Sequence, residues 1–368
     1  MCIRDRVNDG SKIQYGYQWM KQKWFWLSAC LLLTFVVFYP GLENGWVNYD
    51  DLEYVHENPL VGELTPERIT ETFTTLEVMG NYHPLAILSL AVDYNLGEYN
   101  PRTYHRTSLL IHLANVALVF WLAWLLFGKM EISVVAAALF GIHPMHVESV
   151  AWISSRKDVL YTFFFLAGLV CYLYYLSRKK ISWLAAGFVL FVLSGLSKPL
   201  AVTFPVVLLL IDYLQVRKFT KWLILEKVPF FALALVFGIL SIKTQQSSTA
   251  MQQFGDVQFG ESIFVGAYGL ILYLVKSIIP FQLAAHHPYP MLPGESLQWY
   301  YFLSPLPILF FTWLFWKKCR TNRAAVFGVL FFLVNILPLL QILSFGNAFM
   351  SDRYTLSLIH ISEPTRRE

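Results

Sequence analysis

The chain has 368 residues, of which 56% are hydrophobic and 14% charged, with a mean hydropathy of +0.50. Soluble domains carry about 25% charged residues, so these figures exclude an ordinary soluble core. The net charge of +4 does not mark a nucleic-acid binder, because the basic residues cluster at the ends of apolar runs.

In chain order the apolar runs are Trp24–Tyr39, Leu109–Phe127, Val159–Leu176, Trp183–Leu196, Ala201–Leu214, Val228–Ile242, Ile263–Ile279, Tyr300–Trp316 and Ala324–Leu343. Several approach the ~20 residues a helix needs to cross ~30 Å of hydrocarbon. Ile132–Ile142 is shorter and needs tilt, shelter or extension by its His-rich flank. Strands of a membrane barrel would alternate apolar and polar over about ten residues. Leu109–Phe127 and Val159–Leu176 are apolar on every side instead. The expected fold class is therefore all-α, a polytopic transmembrane helical bundle with about nine or ten hydrophobic helices.

Trp24–Tyr39 follows a basic flank, as a signal peptide does, but no small-residue cleavage pattern comes after it, so an uncleaved anchor is expected. Cys2, Cys30, Cys171 and Cys319 are scattered, with neither a disulfide framework nor a metal spacing.

Lys21 and Lys23, Arg178–Lys180, Arg217 with Lys218 and Lys221, and Lys317, Lys318, Arg320 and Arg323 form four basic clusters. The positive-inside rule makes all four cytoplasmic. Gly41–Tyr104 is the opposite, with eleven acidic residues against Arg68 and Arg102 only, and is expected outside. Parity works as far as Ile242. One simple crossing at Ile263–Ile279 would then put the Lys317–Arg323 cluster outside, so that helix is expected to be re-entrant or interfacial, or a boundary near it misread.

The external segment is too long for a turn and must carry structure of its own. Thr65 reads as an N-cap with Pro66 at the first helical position and Leu64 stapled to Ile69. Ile69, Phe73 and Leu76 then share one face, suited to the membrane surface or the bundle. A second helix is expected over Ala86–Tyr94, with re-entry near His105. Before them stands Trp46-Val47-Asn48-Tyr49-Asp50-Asp51. Two adjacent carboxylates can provide a general base or hold a cation; they are also ordinary residues of a solvated acidic turn.

Ionisable residues at the mouth of a bundle are functional candidates. The densest set is Gly141–Ser149 followed by Ser154–Asp158, on the same expected side as Asp50. His143, His146 and Glu148 can be read as metal ligands, though the spacing is weak, or as capping between two spans. Further candidates on that side are His83, Arg102, His105, His112, Lys198, His286, His287 and Asp352-Arg353-Tyr354.

These residues together resemble a family. A Tyr-Asp-Asp triplet follows the first span, then Asn58-Pro59, Tyr104-His105 and His112. The stretch His143-Pro144-Met145-His146-Val147-Glu148-Ser149-Val150-Ala151-Trp152-Ile153-Ser154-Ser155-Arg156-Lys157-Asp158 is the specific piece. Ser197-Lys198 and Ser351-Asp352-Arg353-Tyr354 come later. From about Trp24 to Tyr354 the chain resembles the membrane portion of the transmembrane and tetratricopeptide-repeat O-mannosyltransferases and their bacterial relatives.

The resemblance implies a GT-C-like fold and a glycosyltransferase that takes a hexose such as mannose from a polyprenyl-phosphate donor. The acceptor would be a hydroxyl of a protein Ser or Thr, or of a glycan, on the non-cytoplasmic side. Asp50 or Asp51 would take the acceptor's proton. Arg156, Lys157, Lys198 and Arg353 would meet the donor phosphate, with His146, Glu148, His143, His105 and Tyr354 lining donor or acceptor. No cofactor is assigned; a divalent metal, if used, would sit at Asp50 and Asp51. The bilayer is the expected setting, a bacterial inner membrane or the endoplasmic reticulum of a eukaryote.

The expected organisation is a tail over 1–20, a membrane domain over 21–356 containing the external loop 41–104, and tetratricopeptide repeats missing from the C-terminal side. Met1–Arg6 and 357–368 look like translated sequencing-adapter sequence. Lys198 is followed by Pro199, where the family often has an acid. The competing readings are a transporter or flippase, which would favour polar groups at the midplane, and a non-catalytic membrane scaffold.

Overall fold

The computed structural model describes residues 9–78, 80–247, 259–285, 287–288, 297–340 and 348–357. Met1–Arg6, His286 and residues 358–368 lie outside them. The chain is all-α: the only strands among the described residues are β1 (His287–Pro288) and β2 (Ala348–Met350), paired antiparallel. Its helices are α1 (Asp9–Phe38), α2 (Pro66–Thr74), α3 (Pro84–Gly97), α4 (Pro101–Phe127), α5 (Met130–Ile142), α6 (Val147–Ala151) and α7 (Arg156–Arg178). They continue as α8 (Ile181–Ser197), α9 (Phe204–Leu214), α10 (Lys221–Leu225), α11 (Val228–Ser247), α12 (Phe259–Ile278), α13 (Pro305–Cys319) and α14 (Arg323–Ile336).

Five helical stretches are long and apolar enough to cross a membrane: Gln22–Glu43, Pro101–Phe127, Ile153–Arg178, Lys221–Thr244 and Gly260–Ile278. The pair Met130–Ile142 and Pro144–Ala151 adds a sixth if its 51° bend is one broken span. Ile181–Ser197, Pro199–Leu214 and Arg323–Leu339 are shorter apolar helices. This is a multi-pass membrane protein. The bend falls where Pro144 removes an N–H from the ladder, which explains why Ile132–Ile142 is short.

The core forms where α7 packs on α4 and α8, with α5 and α1 behind α4 and with α11, α9 and α14 closing the other side. Gly168 of α7 leaves room for the Phe204 ring, because a Cβ there would stand 2.9 Å from its Cζ. Phe191, Phe204 and Phe230 stack across α8, α9 and α11 with centroids 5.0 and 5.9 Å apart. The outer faces are apolar too: α13 has no buried residue, and Leu309, Phe311, Trp313 and Trp316 all stand exposed. Such a surface suits hydrocarbon rather than water.

The bundle has two chemically distinct ends. At one, Arg217 bonds Asp212 at 3.0 Å and Glu226 at 2.5 Å, Lys227 pairs with Asp212 at 2.6 Å, and Tyr172 donates to Asp212 at 2.6 Å. Arg323 reaches the Tyr213 carbonyl at this same end. The other end, about 33 Å away along the 23 residues of α7, carries Arg156–Asp158.

Both ends of α12 touch elements of this second end. Its start packs near Ser304, whose hydroxyl donates to Phe264 O at 3.0 Å, and Tyr301 shares a cluster with Met145, Ile336 and Leu339. Near its finish, Lys276 pairs with Asp352 at 3.2 Å, and the Ser277 carbonyl meets His143 Nε2 at 3.2 Å. A helix lying along that end lets α13 and α14 return the Lys317–Arg323 cluster to the Arg217 side.

Candidate active site

The segment 41–104 folds largely as its sequence dictates. Thr65 caps α2 by accepting from Arg68 N at 3.3 Å, with Pro66 in the first turn. Of the two settings expected for its apolar face, the membrane surface or the bundle, packing on the bundle is not seen: Ile69 is 37% and Leu76 59% exposed, while Thr72 is the buried residue of α2. The helix expected over Ala86–Tyr94 is longer, running Pro84–Gly97, and α4 begins at Pro101 under an Asn100 cap.

Asp50 and Asp51 lie in a helical turn rather than an open loop, and they diverge. Asp51 is 0% exposed. Its carboxylate accepts from Val47 N at 3.0 Å, from Ser154 N at 3.0 Å and from the Ser154 hydroxyl. It thus pins the segment 41–104 to the turn that leads into α7, where the helix N-terminus favours an anion. Asp50 is half-buried and makes none of these bonds. Burial is the main influence on its carboxyl and raises the pKa; Lys157 and Arg353 pull it down, and Asp51 pushes it up. A carboxylate raised in this way, and still reachable, is the form a general base needs.

Two cations, Lys157 and Arg353, act on Asp50, and a third, Lys198, acts on the neighbouring Tyr54. Arg353 bonds Glu148 at 2.8 Å, and its guanidinium lies over Trp152, 4.9 Å from the ring centre. Lys198 pairs with Asp158 and lies 4.9 Å from the Tyr354 ring centre. Lys157 differs: it donates to the Tyr54 hydroxyl at 2.7 Å and faces that ring at 4.5 Å, with no carboxylate partner among the described residues. Tyr54 follows Asp50 by one turn, and burial raises its hydroxyl well above the usual range, so it stays protonated. The Ser149 hydroxyl donates to Arg353 O at 3.0 Å and fixes the helical segment Asp352–Ser357 beside the site.

Other candidates sit elsewhere. Arg156, adjacent to Lys157, points away: it is 0% exposed and bonded to Asp93 at 2.6 Å, Ser89 at 2.8 Å, Ser108 at 3.0 Å and Tyr104 O at 2.7 Å. With all three of its nitrogens committed to four protein partners, it braces α7 against α3 and α4 rather than facing a ligand. His146 is buried, with Nδ1 on Phe140 O at 2.9 Å, and His143 joins Ser277 O to Met145 N. Both hold the bend after α5. His105 is buried beside the Asn44–Gly45 backbone, and His112 bonds Gly141 O at 3.1 Å within the core. Arg102 pairs with Glu43 in the open, at 3.2 Å. Asp352 takes Lys276, Ala284 N at 2.7 Å and His287 at 3.4 Å, anchoring the segment that carries Arg353. Among the described residues no three His, Cys, Asp or Glu side chains gather as metal ligands.

Sequence reasoning did not single out Tyr54 or Asp93, and it gave Asp158 no role beyond membership of the polar stretch Ser154–Asp158. The four-residue step from Asp50 to Tyr54 was the available signal for the first; Asp93 and Asp158 declare themselves only through long-range pairing.

The chain is similar to protein O-mannosyl-transferases, which bears out the family resemblance. It is 32% identical to Protein O-mannosyl-transferase Tmtc1 of Drosophila melanogaster over 162 residues, 42% of this chain and 18% of that protein. It is 38% identical over 114 residues to Protein O-mannosyl-transferase tmtc2 of Xenopus laevis, 29% and 14% of the two chains. With Protein O-mannosyl-transferase TMTC3 of Homo sapiens it shares 36% over 92 residues, 25% and 10%. The chain thus spans less than a fifth of the length of the curated relatives it matches. No family model and no solved structure matches it.

Proposed function

We propose that this chain is the membrane part of a GT-C-type glycosyltransferase. It moves a hexose, mannose by analogy with its relatives, from a polyprenyl-phosphate donor to a hydroxyl of a protein Ser or Thr on the non-cytoplasmic side. The observation that carries the reading is Asp50, a half-buried carboxylate with raised pKa on which Lys157 and Arg353 act. The ion-pair networks stand at the two ends of the bundle rather than at its middle, which favours chemistry at a membrane face over transport.

In this reading the acceptor oxygen attacks the anomeric carbon and its proton passes to Asp50. The bond from the anomeric carbon to the phosphate oxygen breaks, its electron pair staying on the phosphate. Lys157, free of a carboxylate partner, meets the developing charge directly; Lys198 and Arg353, each already paired, add field rather than full charge. Asp51 and Arg156 hold the frame in which these groups stand. Glu148 and Tyr354 line the same recess.

The test is sugar transfer from polyprenyl-phosphate-mannose and polyprenyl-phosphate-glucose to serine peptides by the full chain in proteoliposomes, with Asp50→Asn as the variant. Transfer reduced by about 10²–10⁴-fold is expected. Undiminished transfer removes Asp50 from the mechanism, and a parent chain inert with every polyprenyl-phosphate sugar removes the reaction itself.

A further inference from the structure

His83 immediately precedes α3 and is 2% exposed, yet no group among the described residues bonds either of its ring nitrogens. Its ring packs on Tyr54 with centroids 5.4 Å apart, and Tyr54 is the residue whose hydroxyl takes Lys157. Lys157 and Lys198 are the charges that act on it, and with burial they hold the imidazole pKa well below its ordinary value. His83 is therefore a neutral ring at neutral pH, with one N–H to give and one lone pair to fill.

Buried polar groups are rarely left unpaired, because each forfeits its hydration. His112 bonds Gly141 O and His143 bonds Ser277 O and Met145 N, whereas buried His105, beside the Asn44–Gly45 backbone, shares with His83 two ring nitrogens that no described group bonds. The surroundings restrict what can pair His83. A cation is repelled by Lys157 and Lys198, and an apolar ligand leaves both nitrogens unsatisfied. An anionic oxygen suits the N–H and the neighbouring ammonium groups together.

We infer that His83 is a ligand-contacting residue of the Asp50 site, giving its N–H to a phosphate oxygen of the lipid-linked donor while Lys157 supplies the charge. The inference rests on the transferase reading above. A neutral donor suits this position, since a further full positive charge beside Lys157 and Lys198 would be costly to bury.

The experiment measures binding of farnesyl phosphate and of farnesol to the detergent-purified full chain, as wild type, His83→Phe and His83→Gln. The wild type is expected to prefer the phosphate by at least about tenfold. His83→Phe should weaken phosphate binding on the order of ten- to a hundred-fold and leave farnesol unchanged. Its melting temperature should hold or rise, because the apolar ring removes an unpartnered buried group. His83→Gln keeps an N–H donor of similar reach and should recover much of the loss; it also carries the test if the Phe variant does not fold.

A wild type that prefers the phosphate alongside variants that bind it equally well overturns the role of His83 and spares the donor reading. A wild type with no preference for phosphate overturns both. Loss of both ligands together with a lower melting temperature in both variants makes His83 a structural residue and also overturns the inference.

Discussion

The Asp51 carboxylate receives the backbone N–H of Ser154 at 3.0 Å and the hydroxyl of the same residue, across 103 positions of sequence. This contact decides where the segment 41–104 sits on the bundle. It also separates two neighbouring acids into a strut and a candidate base.

Asp51→Ala should therefore act on stability. It strands a buried N–H and a buried hydroxyl, costing about 1–3 kcal/mol for each group left unpaired. Thermal unfolding in detergent would show a clear drop, with Ser154→Ala smaller because the backbone bond survives. Equal melting temperatures for Asp51→Ala and the parent would remove the strut.

Asp50→Asn should leave the fold in place and abolish transfer. Its raised pKa makes a second expectation. An acid whose folded pKa lies above its unfolded one stabilises the fold fully below the unfolded value, and that stabilisation is lost as pH rises through the folded value. The parent should accordingly lose stability across this window while Asp50→Asn does not. Transfer should rise over the same window as the base ionises. Parallel stability profiles for the two proteins would contradict the shift.

Arg156 and Asp93 form an ion pair at 2.6 Å with both side chains almost wholly buried. Arg156→Met alone leaves an uncompensated carboxylate and should cost about 3–5 kcal/mol, whereas Arg156→Met with Asp93→Leu should recover part of it. Yield of folded protein by size-exclusion chromatography reads this out. A single variant as stable as the parent would return Arg156 to the list of ligand contacts.

Arg353 and Glu148 join the last described segment to the bend after α5 at 2.8 Å. Each keeps 18% of its side chain exposed, so screening limits the pair. A double-mutant cycle with Arg353→Gln and Glu148→Gln should give a coupling of about 1 kcal/mol in stability. Additive single effects would show that the two do not act together.

Much of the architecture was legible in the residues. Leu109–Phe127 and Val159–Leu176 announce spans by having no polar side, and Thr65-Pro66 announces α2. What sequence could not show is which member of an adjacent pair turns inward. Successive helical residues point about 100° apart, so Asp50 and Asp51, or Arg156 and Lys157, occupy different environments although their letters sit side by side. Only a partner far along the chain, Ser154 for Asp51 and Asp93 for Arg156, reveals the choice. The unpacked face of α2 has a similar cause: periodicity identifies an apolar stripe but not what covers it.

The Glu148–Arg353 pair closes over 205 positions, and Ser149 meets the Arg353 carbonyl over 204. At about 5–20 residues per second, a ribosome needs roughly ten to forty seconds to deliver the second partner after the first. For that interval Glu148 must wait without its guanidinium, and Asp50 without one of the two cations that lower its pKa. A polypeptide interrupted before Arg353 would thus carry the helices without a finished charge pattern around Asp50.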